Sequence, residues 1–81
     1  MQDHDLTFEL AEEAFDDPYA LTNEDYLDEN GEMRYQTIAA VDGVVFMIAH
    51  VYRFVDVEER PRVISFRKAA NYEKKQYFRR R

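Results

Sequence analysis

Residues 33–52, MRYQTIAAV-DG-VVFMIAHVY, constrain the fold more than any other part of this 81-residue chain. Two strand-like runs flank Asp42-Gly43, a pair suited to the left-handed backbone of a two-residue hairpin turn. In the first run Arg34, Gln36 and Ile38 share one face, and Tyr35, Thr37 and Ala39 share the other. The second run is apolar on both faces, which predicts a central strand covered from both sides. Residues 62–66 alternate again and predict a third long strand. The second half of the chain therefore reads as a three-strand antiparallel meander.

Around this meander the signals are mostly helical. Thr7 is suited to cap a helix over 8–16, in which Phe8, Ala11, Ala14 and Phe15 line one face and Glu9, Glu12 and Glu13 the other. Asp16-Asp17-Pro18 stops it, because the residue before proline is pushed out of the helical region. A short, weak strand is expected near 19–22, and Asp28-Glu29-Asn30-Gly31 is turn chemistry. Residues 54–60 read as an acidic, mobile loop closed by Pro61. From Ala69 onward a short terminal helix is expected. The sum is a single α+β domain spanning 1–81, with a sheet of three to four strands between an N-terminal and a C-terminal helix. A sheet this small has few ways to cover its edges, and a chain opening directly on a helix looks short of an initial element.

Charge divides the chain. Residues 1–33 hold 12 Asp/Glu and no Lys/Arg, whereas 34–81 hold 11 Lys/Arg against five acids. Three explanations fit: an anionic partner, a protein partner of opposite charge, or mutual neutralisation of the halves across the fold. The absence of cysteine excludes disulfides, thiolate nucleophiles and cysteine-ligated zinc. The N-terminus lacks the charged and apolar regions of a secretory signal, and no apolar run approaches the ~20 residues of a membrane span. A soluble cytoplasmic protein is expected.

Several chemistries find no support. With only Gly31 and Gly43 there is no glycine-rich phosphate loop. His4 and His50 have no ligand spacing, so neither a metal nor another cofactor is expected, and His50 reads as a satisfied, half-buried strand histidine. Asp16-Asp17 reads as a helix stop, and Ser65 as a strand residue.

What remains is cationic and aromatic: Arg34, Arg53, Arg62, Arg67, Lys68, Lys74, Lys75, Tyr72, Tyr77 and Arg79–Arg81. Guanidinium forks bind phosphate oxygens, and aromatic faces stack on unpaired bases. Metal-free RNA cleavage needs a base for the 2′-hydroxyl, an acid for the leaving oxygen and fixed cations for the charge growing on phosphate. Arg34 and Arg67 suit the last role if the meander brings them to one face. Glu32 is a candidate base, and Lys68 or Tyr77 a candidate acid. Arg53, Arg62, Tyr72, Lys74 and Lys75 are candidate RNA contacts.

Four stretches, in this order, resemble the BrnT family of ribonuclease toxins: HDLTFELAEEAFDDP (4–18), GEMRY (31–35), GVVFMIAHVY (43–52) and RVISFRKA (62–69) followed by Glu73 and Tyr77. The resemblance implies a RelE-like fold and an endoribonuclease that inhibits translation. It also implies a BrnA-like antitoxin as partner, whose DNA-binding part would link the complex to operator DNA only indirectly. By position it points to Glu32, Arg34, Arg67 and Lys68, and more weakly to Tyr77. The family's initial strand and most of its first helix have no counterpart here; Asp3 and Asp5 stand beside His4 where a lysine and a glycine would be. Two other outcomes follow from that shortness: an inactive module that only binds an antitoxin, and self-association into a homodimer through an uncovered sheet edge.

Overall fold

Thr7 starts the first helix as its sequence suggests. In the computed structural model, which describes residues 7–80, the Thr7 side chain accepts the Leu10 N–H at 3.2 Å and caps α1 (Phe8–Phe15). His4, its neighbours Asp3 and Asp5, and the terminal Arg81 lie outside the described residues. Four strands follow: β1 (Leu21–Leu27), β2 (Met33–Val41), β3 (Val44–Val55) and β4 (Glu58–Lys68), then α2 (Asn71–Arg80). The strands form one antiparallel sheet in the order β1-β2-β3-β4, an α+β architecture.

Asp42 and Gly43 both adopt positive φ, 51° and 81°, and turn β2 into β3 as the Asp-Gly pair predicts. At residues 28–32 the Asp28 carboxylate accepts the backbone N–H groups of Asn30 and Glu32, each at 2.9 Å, and closes the β1–β2 turn.

Three expectations change. The weak strand lies at 21–27 rather than 19–22. Its residues pair from Leu21↔Ile38 to Leu27↔Met33, so the register of β2 decides its extent, not its own nearly all-polar pattern. Residues 54–60 are not a loop. Phe54 pairs with Glu59 and Val55 with Glu58 around a tight turn in which Asp56 takes a φ of 60°. Acidic residues tolerate this ribbon because both its faces are exposed there, and Pro61 fits because β4 is an edge strand that does not need every N–H. The third strand accordingly runs over 58–68 rather than 62–66, and α2 begins at Asn71, two residues after Ala69.

Alternation along β3 gives the sheet its two sides. Phe46 and Ile48 join Ala14, Ala39 and Val41 in the core covered by α1, with Leu10, Phe15, Val63 and Phe66 at its margin. Val45 and Met47 join Leu21, Ile38, Ala69 and Tyr77 in the core covered by α2. The central strand is thus enclosed on both sides, as its apolar sequence requires. Asp17, just past α1, ties the layers together: its carboxylate accepts the Ala40 N–H at 2.9 Å, the Tyr19 N–H at 2.9 Å and the Tyr77 hydroxyl at 2.5 Å.

Candidate nucleic-acid interface

Strand register brings the arginines together. Gln36 pairs with Ala49 and Ile38 with Met47, while Met47 pairs in turn with Arg67. Paired residues project to the same side of an antiparallel sheet, so Arg34, two residues from Gln36, shares a side with Arg67. Val51 pairs with Arg62 and Arg53 with Arg60, which adds three more cations to that side. Parity alone would separate Arg62 from Arg67. The register shift opposite Ala49/His50 inserts Ile64 as an extra residue and restores both to one side.

Most of these guanidinium groups are already held by a carboxylate. Arg34 Nε donates to Asp28 Oδ2 at 3.1 Å, with the Asp28 side chain only 9% exposed. Arg53 forms an ion pair with Glu32, and Arg60 donates to Glu58 at 2.7 and 3.0 Å. Arg67 grips Glu73 through both terminal nitrogens, each at 2.9 Å. Asp28 and Glu32 come from the acidic first third, so the halves of the chain do partly neutralise one another. The side chains of Arg62, Lys74 and Lys75 are exposed and have no hydrogen-bond or ion-pair partner among the described residues.

The Arg67–Glu73 pair carries its electrostatic mark. The hydrogen bonds that Arg67 donates to Glu73 push its guanidinium still higher, against a smaller opposing effect of burial. Burial pushes the Glu73 carboxyl up, but the Arg67 guanidinium and the Ala70 N–H outweigh it and hold it below the usual carboxylate range.

The other sequence candidates separate. Tyr72 is 63% exposed beside the Arg67–Glu73 pair, where its side chain acts on both partners. Lys68 pairs with Phe46 and so belongs to the α1 side, opposite Arg67. Tyr77 is 3% exposed, packed in the α2 core with its hydroxyl given to Asp17. His50 is wholly buried rather than half-buried. Its Nε2 meets the Thr37 hydroxyl at 2.8 Å, its Nδ1 has no partner, and burial among Phe15, Tyr35 and Tyr52 pushes its imidazole down to about 4.

Residues 1–73 match the family model for "Ribonuclease toxin, BrnT, of type II toxin-antitoxin system". The chain belongs to the BrnT family. No curated protein matches it. As a BrnT ribonuclease toxin of a type II system, it implies a cognate antitoxin. The BrnT match takes in Glu32, Arg34, Arg67, Lys68 and Glu73 and stops short of Tyr77. Among the described residues no helix is long and apolar enough to cross a membrane, and no group of three His, Cys, Asp or Glu side chains gathers as a metal site.

Two features of this BrnT chain escaped sequence reasoning. Glu73 was visible only as a motif letter; its burial at 2% exposure and its grip on Arg67 depend on how α2 docks. An open groove of about 720 Å³ lies where Ala11 and Phe15 of α1 meet Arg53, Arg60 and Arg62. Nothing in the local sequence marks it, because its two walls lie about forty residues or more apart in the chain.

Proposed function

We propose that the α2 side of the sheet binds single-stranded RNA and cleaves it without a metal ion, inhibiting translation in the cytoplasm until a BrnA-like antitoxin binds. Arg34 and Arg67 hold the scissile phosphate and oppose the charge that grows on its oxygens. Glu32 takes the 2′-hydroxyl proton as that oxygen attacks phosphorus; the 5′-oxygen leaves with a proton and a cyclic phosphate remains. Lys68 projects to the opposite side and the Tyr77 hydroxyl is committed to Asp17, so this reading draws the leaving group's proton from water. Arg53, Arg62, Tyr72, Lys74 and Lys75 extend the contact along the backbone and bases. The antitoxin's DNA-binding part connects the complex to its operator.

The observation that carries this reading is the register that sets Arg34 and Arg67 on one side within the matched span. The test is RNA cleavage by the purified chain in the presence of a chelator. Arg34→Ala/Arg67→Ala should lower the rate by at least about a hundredfold, consistent with roughly 2–4 kcal/mol per transition-state donor. Unchanged cleavage by that variant would remove the proposal.

A second reading rests on the ion pairs. Arg34, Arg53 and Arg67 each already face a carboxylate, as in a module that only binds its antitoxin or pairs with another copy along the free β4 edge. Co-purification with the antitoxin but no growth arrest on expression alone would favour it. A monomer at high concentration would contradict the homodimer.

A further inference from the structure

Resting on the nuclease reading, we propose that Glu73 is the positioning residue for Arg67, clamping its guanidinium so that one N–H fork stays free for an RNA phosphate. An arginine offers five N–H donors in a fixed plane. Nη1 spends both of its own, one on the Lys68 carbonyl at 3.1 Å and one on Glu73 Oε1 at 2.9 Å, while Nη2 gives one to Glu73 Oε2 at 2.9 Å. These three bonds leave Nε–H and the second Nη2–H, with the Tyr72 side chain beside the guanidinium as a neighbour that a phosphate would share them with. The two donors lie side by side along one edge of the plane, the spacing that suits two phosphate oxygens.

The clamp is itself anchored. Glu73 lies in the first turn of α2, is 2% exposed, and its Oε1 also accepts the Ala70 N–H at 2.7 Å. Water therefore competes poorly for the carboxylate, whereas the Arg67 side chain is 48% exposed and reachable. A free arginine would lose its rotamer freedom on gripping phosphate; here folding has already restricted it. Arg34 on the same side is held differently, through Nε alone.

Glu73→Gln tests this cleanly, because the amide keeps an oxygen for the Ala70 N–H but sets an NH2 group against one guanidinium N–H. On a single-stranded oligoribonucleotide, kcat should fall ten- to a hundredfold while KM shifts less than threefold. Arg67→Lys should show a comparable loss, and the double variant should be no slower than the worse single one. The side-chain ¹⁵N spectrum of Arg67 reads the clamp without any RNA. It should show separate Nη1 and Nη2 signals, from restricted rotation about the Cζ–Nη bonds, in the wild type and averaged ones in Glu73→Gln. Glu73→Asp, one methylene shorter, withdraws the carboxylate and serves the same measurements if Gln prevents folding. An unchanged Arg67 spectrum overturns the clamp, and so does unchanged kcat or additive losses in an enzyme that cleaves. If the wild type cuts no RNA but the spectrum changes, the clamp stands and the nuclease reading falls.

Discussion

The two sides of β3 are built on opposite terms. Phe46, Ile48 and His50 enter the α1 side and are fully buried. There the His50 imidazole stays neutral because burial disfavours its charge. Met47, Ala49 and Val51 project to the other side, among arginines. There the nearly inaccessible carboxylate of Glu73 keeps its charge because a guanidinium lies against it. The same strand thus teaches what each surface can be used for. A dry side without counter-charges can only support the fold, whereas a side where charge is paired at the margin can present cations to a ligand.

Substitutions should separate the two sides. The largest effect is expected from Phe46→Ala, which empties the α1 core and should cost about 3–5 kcal/mol by thermal or denaturant unfolding. Molecules that remain folded should still cleave RNA at the wild-type rate; a loss of rate per folded molecule would blur the division. Acid should act next, through His50. Its folded pKa of about 4 lies below the ordinary 6.5, so as pH falls the unfolded chain takes the proton first. His50 therefore costs nothing above pH 6.5, and stability should decline as pH falls from there toward 4, by on the order of 2 kcal/mol at pH 4.5. Glu73, lowered rather than raised, adds its own loss only below the ordinary carboxylate range. His50→Gln should flatten the slope between pH 6.5 and 4.5 in an unfolding series; an unaltered slope would assign it elsewhere.

Asp17→Asn crosses between the layers and should cost about 1–2 kcal/mol, because a neutral amide accepts the Tyr77 hydroxyl and Ala40 N–H less strongly. A change confined to α2 amide signals would sharpen the division; a uniform change would weaken it. The smallest effect belongs to Arg60→Ala, which removes an exposed pair with Glu58 and should change the melting midpoint negligibly, by less than about 0.5 kcal/mol.

Much of this arrangement was legible where side-chain alternation reports burial. The hairpin at 42–43 and the two-sided apolar run fix β2 and β3, and with them the side on which Arg34 stands. β1 was read short because its residues beyond Leu21 are exposed, so nothing in them alternates between core and solvent. The ribbon at 54–60 reads as a loop in the sequence because main-chain pairing, which leaves no trace in composition, holds it together. The cationic side was anticipated in part, but its carboxylate partners were not. Asp28 and Glu73 each lie six residues from the arginine they hold, across a turn in one case and a strand-to-helix joint in the other. Such spacing has meaning only once the chain direction has reversed or the helix has docked.

The surplus residue at Ile64 lets an odd sequence spacing serve one surface. Arg62 and Arg67 stand five positions apart, which a regular strand would send to opposite layers, and the bulge takes up the odd position. Losing the Ile64 codon would leave four positions, so the ladder could close with Val63 still opposite His50 and Ser65 opposite Ala49, and with Arg60, Arg62 and Arg67 still on the α2 side. Loss of that one codon would straighten the strand without moving a charge to the other layer.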